Sequence, residues 1–180
     1  MDKKTIMRKA IADALEQQLQ QVDSLQELSV QQILAACGLS RPTFYRYFSD
    51  KYDVVNWIYT YYVEELAPRD PPLTHEQRVL RMVQFFYEKQ SFFRKTMDYN
   101  GQNSFNEYFF ANAVRFATAH YSAQNGGAPL PIEDTYTVIH NAAGMLQVIR
   151  EWLFRGCRET PECLCAVLMR NTPPELRELS

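Results

Sequence analysis

The sequence has no apolar run that approaches the roughly 20 residues needed by a membrane-spanning helix. Its first residues, Met1 to Ile6, lead into alternating charges and not into the apolar segment of a secretory leader. No segment shows the strict alternation of apolar and polar residues that is expected of a half-buried strand. These absences predict an all-α protein of the cytoplasm that does not enter a membrane.

A strong charge of one sign is also missing. The chain has 19 Lys and Arg residues against 21 Asp and Glu residues, for a net charge of -2, so no global basic field indicates nucleic acid. Within the first 55 residues the basic side chains nevertheless form two groups: Lys3, Lys4, Arg8 and Lys9, then Arg41, Arg46 and Lys51. Any binding of DNA must therefore rest on local charge.

The four cysteines do not indicate a disulfide framework in a chain of this kind. Cys157, Cys163 and Cys165 are close enough in sequence to suggest a metal site or a redox sensor, and Cys37 stands apart. On a helix, however, Cys163 and Cys165 point about 200° away from each other. A shared metal would need a broken helix, so we expect free thiols, no metal and no cofactor.

Helical periodicity extends over nearly the whole chain. In the first segment apolar residues recur at i, i+3 and i+4 spacing: Ile6, Met7, Ala10, Ile11, Ala14, Leu15 and Leu19. A later helix opens at Asp50, runs to about Leu66 and is broken by Pro68–Pro72. We predict a helical head over residues 1–50, a connecting helix over residues 51–67 and a helical body over residues 74–172.

The body shows clear helix boundaries. Capping boxes at Thr74–Gln77 and Ser104–Glu107 each predict the start of a helix. A long helix is predicted from about Ile132 to Phe154, and a final helix from about Glu162 to Arg170 is followed by a polar tail.

The segment from Ser29 to Phe48 predicts a helix-turn-helix. Ser29 is an N-cap, Gly38 is a natural left-handed stop, and Ser40 caps a second, very short helix. On that helix Phe44 and Phe48 are i, i+4 partners and are expected to face the core.

The opposite face of the short helix has groups that suit a DNA groove. Arg46 and Pro42 project away from the phenylalanines, with Thr43, Tyr45 and Tyr47 at the flanks. Arginine can bind a guanine edge with two hydrogen bonds, and threonine or proline can contact a thymine methyl. Tyrosine hydroxyls and Lys51 suit phosphates. From the residues alone, an aromatic packing surface or partner surface is an equal alternative.

The stretch from Ser29 to Lys51 resembles the DNA-binding head of the Tet repressor family. Ser29 stands for that family's threonine, Ile33 for its isoleucine and Gly38-Leu39-Ser40 for its turn. Four later positions match the family pattern directly: Thr43, Tyr45, Phe48 and Lys51. Cys37 and Leu34 replace alanines, and Tyr47 stands where histidine is common, which leaves the contact made by that one residue open.

The resemblance implies a DNA-binding transcriptional regulator, expected to be a repressor, that acts as a homodimer on a palindromic operator. Its DNA-binding residues would be Ser29, Arg41, Pro42, Thr43, Tyr45, Arg46, Tyr47 and Lys51. Residues 74–172 would form the effector-binding and dimerisation domain, in which the last two long helices of two subunits make a four-helix bundle. Small residues at Ala142, Ala143 and Gly144 permit close approach. Apolar area is expected from Met145, Leu146, Ile149, Trp152 and Leu153.

The effector is less defined. Lys51–Tyr59, Gly101–Phe105 and Trp152 are similar to a subgroup labelled dihydroxyacetone kinase regulators, which raises a partner protein as an alternative to a small molecule. Aromatic residues of the body fit either a pocket or plain core: Phe85, Phe86, Phe92, Phe93, Tyr108, Phe109, Phe116 and Tyr136. His120 and His140 are expected in core or pocket positions and not at a metal.

Two other classes of protein are rivals. An enzyme is disfavoured because paired carboxylates, a glycine-rich phosphate loop and a His-x-x-x-His pair are all missing from the sequence. A pure interaction module, in which the head is kept but DNA binding is lost, is the second rival.

Overall fold

The computed structural model describes residues 2–65 and 73–178, and it is helical with no strand in those ranges. The α-helices are α1 (Lys3–Leu19), α2 (Val30–Cys37), α3 (Arg41–Tyr45), α4 (Lys51–Thr60), α5 (His75–Glu88), α6 (Gln90–Met97), α7 (Phe105–Gln124), α8 (Ile132–Phe154), α9 (Pro161–Asn171) and α10 (Pro174–Glu178). A π-helical turn at Tyr61–Glu65 continues α4. The predicted all-α class is confirmed. None of the helices in the described residues is long and apolar enough to cross a membrane.

The helices of the head begin and end where the sequence predicts. Ser29 accepts from the backbone N–H of Gln32, while the Gln32 side chain returns to the Ser29 backbone, which completes a capping box at the start of α2. Gly38 ends α2 in the left-handed region at φ 66°. Ser40 and Asp50 then cap α3 and α4 through their side chains.

The core of the head forms around α1, which packs against α2 and α4. Phe44 is fully buried, and its ring centroid lies 6.1 Å from that of Phe48. Phe48 in turn meets Trp57 of α4 edge to face, with centroids 6.0 Å apart. The helix α3 is only five residues long, so the burial of Phe44 within it and of Phe48 just after it stabilises its position more than its few hydrogen bonds do.

The connecting helix differs from the regular helix that the sequence predicts. It is α-helical only to Thr60 and then widens into the π turn. At this point Tyr61 stacks on Trp57, with ring centroids 4.8 Å apart, while Tyr62 stacks on Phe85 of α5 at 5.2 Å. The change of pitch coincides with two consecutive aromatic residues that pack on different neighbours. Leu66, Ala67 and the predicted break at Pro68–Pro72 lie outside the described residues.

The body packs α5 against α9, α7 against α8, and α6 against α8. Its centre is aromatic, and Phe86 contacts the rings of Tyr59, Phe93, Phe105 and Phe109. Of the aromatic residues considered for a pocket, Phe85, Phe86, Phe92, Phe93 and Phe109 are buried. Most of this set is therefore core.

Three side chains of the body are more exposed than a core position allows. Phe116 and Tyr136 are 44% and 66% exposed, so neither is plain core, and His140 is exposed where a core or pocket position was expected. The polar tail contains α10, and Leu176 within it folds back and is buried.

The cysteines are free, with Cys157 and Cys165 buried and Cys163 exposed. No group of metal-ligating side chains occurs within residues 2–65 and 73–178.

Candidate DNA-binding surface and its links to the body

The predicted recognition residues share one face of the head. Phe44 and Phe48 hold α3 from the inside, and Arg41, Pro42, Tyr45 and Arg46 are exposed on the outside, with Thr43 and Tyr47 half-buried. Tyr45 is 54% exposed although its ring meets Phe44 edge to face at 5.3 Å. The face therefore presents two guanidinium groups, a phenol and the proline ring to solvent.

Arg46 lies at the end of α3 and is partly ordered by its neighbour. Its Nη2 donates to the Tyr47 hydroxyl at 3.3 Å, and its guanidinium carbon lies 5.1 Å from the centre of the Tyr47 ring. A guanidinium held against an aromatic ring loses less side-chain entropy when it binds a ligand. Thr43 has a different role in the free protein, since its hydroxyl is 2.9 Å from that of Ser40 at the helix start.

Arg8 is a residue whose role sequence reasoning missed. It was placed only in the basic group near the N-terminus, but its Nη2 donates to the Tyr47 carbonyl at 3.4 Å. Its guanidinium carbon also lies 5.4 Å from the centre of the Phe48 ring. Arg8 therefore brings α1 to the end of α3 and adds a third positive charge beside Arg46. Its position on the first helix gave no sequence signal of this long-range contact.

Ser29 and Lys51 come together at the other end of the surface. The Ser29 hydroxyl donates to the Gln32 side chain at 2.7 Å. The Lys51 ammonium donates to the carbonyls of Gln26 at 2.9 Å and Leu28 at 2.6 Å, just before Ser29. Burial lowers the pKa of Lys51, and the nearby Asp50 carboxylate partly opposes that shift. Lys51 thus fixes the segment that precedes α2, and two of its three N–H groups form hydrogen bonds within the head.

Polar and aromatic contacts join the start of α4 to the loop before α7. Asp50 caps α4 with one carboxylate oxygen and accepts from the Asn103 amide with the other, at 2.9 Å. Asn103 adopts a left-handed backbone conformation at φ 63°, and its side chain reaches Asp50 from this loop. Beside it, Tyr52 stacks on Tyr99 with centroids 4.6 Å apart. Burial and the Tyr99 hydroxyl raise the pKa of Tyr52 to about 12, so Tyr52 stays neutral at physiological pH.

A second link joins the end of α1 to α6. The Lys95 ammonium donates to the carbonyls of Leu19 at 2.9 Å and Val22 at 2.6 Å. Lys89 forms an ion pair with Glu16 on the same side. Cations at the C-terminal end of a helix satisfy its free carbonyls and oppose its dipole. The head is therefore held to the body at the end of α1 and at the start of α4.

The exposed side of α8 carries large apolar side chains among polar ones. Ile132, Tyr136, Ile139, Val148 and Phe154 are all exposed, and the open space around Gly144 would accommodate an approaching backbone. Of the residues that the sequence predicts for the dimer interface, Ala143 and Gly144 are exposed. Ile149, Trp152 and Leu153 are buried in the body instead, and the Trp152 indole donates to the Glu159 carbonyl at 3.0 Å.

This geometry, a capped helix-turn-helix on a separate helical body, defines a DNA-binding regulator of the helix-turn-helix class. The model of the family described as "Bacterial regulatory proteins, tetR family" matches residues 11–57. The model described as "Transcriptional regulator C-terminal region" (TetR_C_8) matches residues 74–172. The chain belongs to the TetR family of transcriptional regulators, which bind DNA and act as dimers, and this is a family of regulators and not of enzymes.

Two individual proteins are similar to this chain. The first is the "HTH-type dhaKLM operon transcriptional activator DhaS" of Lactococcus lactis subsp. lactis (strain IL1403), 23% identical over 160 residues, which are 87% of this chain and 84% of the relative. The second is a solved structure, "Dihydroxyacetone kinase operon activator DhaS". It superposes with a TM-score of 0.65 at 18% identity and covers 97% of this chain and 98% of its own. At that identity the superposition shows the shared fold.

Proposed function

We propose that this chain is a homodimeric regulator that reads a palindromic operator through the outer face of α3. The observation that carries the proposal is the orientation of that helix, with Phe44 and Phe48 buried beneath it and Arg41, Pro42 and Arg46 exposed. A helix anchored in this way can enter the major groove without exposing its apolar side. Since the chromosome lies in the cytoplasm of a bacterium, we expect the protein to act there.

Base edges are read from one end of the surface. Arg46 and Arg41 bind guanine edges, and Pro42, Thr43 and Tyr45 contact thymine methyl groups or neighbouring edges. Tyr47 holds Arg46 in position through its ring and hydroxyl. Because bidentate contacts of this kind each discriminate by about 1–3 kcal/mol, Arg46 is expected to dominate specificity.

Phosphates are bound from the other end. Ser29 lies at the start of α2, whose N-terminus carries a positive partial charge. Lys51 leaves one N–H for a phosphate oxygen after its two carbonyl bonds are made. These contacts fix register and supply no sequence information of their own.

Dimerisation uses the exposed apolar residues of α8 together with α9. Ile132, Tyr136, Ile139, Val148 and Phe154 supply the area, and Gly144 allows the two copies of α8 to approach closely. The four helices of two subunits would then form a bundle at the dimer centre. Two recognition helices related by a two-fold axis read half-sites about one helical turn apart, near 10–10.5 base pairs.

An effector changes the affinity for DNA by favouring one arrangement of the heads over another. The Asp50–Asn103 bond and the Tyr52–Tyr99 stack connect the body to the first turn of α4, directly below the DNA-binding surface. A small displacement of the loop before α7 would therefore reach α4 through short, polar contacts. The same route serves a small molecule or a protein that binds the body.

Repression is the simplest action of a dimer that occupies an operator. Activation is the second candidate, and the printed names of the two similar proteins favour it, since both are called activators. A reporter gene behind the operator distinguishes the two. Loss of the chain raises transcription if it represses and lowers transcription if it activates.

The experiment that tests DNA reading is a gel shift at several salt concentrations with wild type and Arg46→Ala. Wild type should form a sequence-preferring complex whose affinity falls steeply with salt. Arg46→Ala should weaken operator binding by about 5- to 150-fold, which corresponds to about 1–3 kcal/mol. Arg158→Ala, an exposed arginine in the loop after α8, is the matched control and should leave affinity unchanged. Equal affinity of wild type and Arg46→Ala would contradict the assignment of the recognition face.

A further inference from the structure

A group of basic and aromatic side chains lies between α5 and α7, outside the surface described above. Arg78 of α5 places its guanidinium carbon 5.6 Å from the centre of the Phe116 ring of α7. The other stacking partner of Phe116 is His120, with ring centroids 6.1 Å apart and planes 19° from parallel. His75 lies one turn before Arg78 on α5 and is the fourth member of this cluster.

The donors in this cluster are buried without acceptors. Nε and Nη2 of Arg78 are both shielded from solvent, and neither has a hydrogen-bond partner in the part of the chain that the structure describes. The same holds for Nε2 of His75. Buried polar atoms in native proteins are nearly always satisfied, by protein, water or ligand. No acceptor for these three nitrogen atoms occurs in residues 2–65 and 73–178, and a bound ligand would supply one.

The charge balance identifies the kind of acceptor. Burial lowers the pKa of Arg78, and burial together with the charges of Arg78 and Arg177 lowers the pKa of His75. The pKa of His120 is lowered by burial and by Arg78. The ion pair recorded among the described residues, Lys89 with Glu16, lies at the end of α1 and not here. Because the lowered pKa values keep both histidines neutral at pH 7, the positive charge of the cluster is that of Arg78, and no carboxylate of the described residues forms an ion pair with it. Such a guanidinium favours an anion.

We propose that Arg78, His75 and His120 form the anion-binding part of the effector site. The ligand is a small organic molecule with a carboxylate or phosphate group, since the guanidinium fork matches the geometry of both groups. Phe116, 44% exposed, offers an adjacent apolar surface for the remainder of the molecule. This inference rests on the proposed function in one respect, namely that what binds the body alters the affinity for DNA.

The site is tested with inorganic phosphate and with acetate as probes, each against sodium chloride at equal ionic strength. At ten times its dissociation constant a bound anion should raise the melting temperature of wild type by about 3–6 °C beyond the chloride control. A shift with phosphate alone, with acetate alone or with both supports the site and identifies the anionic groups that it accepts.

Two variants make the test specific. Arg78→Gln should lose the shift, and because it removes an unpaired buried charge it should fold at least as stably as wild type. Arg158→Gln, which removes an exposed arginine, should keep the shift. No shift in wild type with either probe, or an equal shift in Arg78→Gln, would overturn the anion site.

Operator binding separates this proposal from the proposed function. If the anion site is right, the effective probe changes operator affinity for wild type and not for Arg78→Gln. If the anion site is wrong but the regulator is right, both proteins still bind the operator and neither responds to a probe. Absence of operator binding by wild type would instead contradict the proposed function.

Discussion

Replacement of Lys51 by methionine tests how the head is built beneath the DNA-binding surface. The change keeps most of the aliphatic chain and removes the ammonium that donates to Gln26 and Leu28 at 2.9 and 2.6 Å. A hydrogen bond that involves a charged group contributes about 1.5–3 kcal/mol to stability when it is buried, and less at a partly exposed site. Because Lys51 is half-buried and the ammonium regains solvation when the protein unfolds, we expect a net loss of about 1–2 kcal/mol.

Urea unfolding at one fixed protomer concentration measures this loss, since the stability of a dimer depends on concentration. The midpoint should fall while the slope of free energy against urea stays constant. Lys4→Met, which removes an exposed lysine of α1, should change stability by less than about 0.5 kcal/mol. An unfolding free energy of Lys51→Met within that same margin of wild type would refute the reasoning, because the two carbonyl bonds would then contribute nothing.

Three further predictions concern the dimer, the link between head and body, and pH. Tyr136→Asp buries a carboxylate in the proposed interface and should weaken dimerisation by roughly a hundredfold or more in light scattering, while Ala10→Asp in the head should not. Asn103→Ala removes the bond to Asp50 and should lower the unfolding free energy by about 1 kcal/mol; no change would contradict an energetic link. Because the pKa of His75 is lowered from 6.5 on folding, protonation favours the unfolded state, and stability should decline below about pH 6.5. This decline should be smaller in His75→Gln, and equal pH profiles of the two proteins would count against it.

Local sequence signals were sufficient for the architecture of the head. The caps at Ser29, Ser40 and Asp50 and the left-handed Gly38 each act within four residues, so a linear pattern contains the information. The inward direction of Phe44 and Phe48 follows from helical spacing alone, and the structure confirms it.

Contacts that join distant segments could not be read in this way. Lys51 suits a phosphate by its position in the motif, but its ammonium reaches two carbonyls more than 20 residues earlier. Arg8 and Lys95 likewise donate to backbone carbonyls of distant segments. Such bonds depend on how helices pack, and a flexible cationic side chain gives no periodic signal of its partner.

The outer and inner faces of α8 show a different limit. This helix is apolar on more than one side, so periodicity cannot decide which residues face the body and which face a partner. The chain buries Ile149, Trp152 and Leu153 and leaves Tyr136 and Phe154 outside. The packing of α6 and α7 against α8 determines which side is buried. The residue pattern of α8 alone contains no information about those neighbours.

The central claim is that α3 reads a two-fold symmetric operator, and selection of binding sites from random DNA tests it most directly. Wild type should select an inverted repeat with half-sites about 10–10.5 base pairs apart. Arg46→Ala should select the same repeat with preference lost at one position in each half-site and retained elsewhere. A non-symmetric site, or an identical preference at every position for both proteins, would contradict the account.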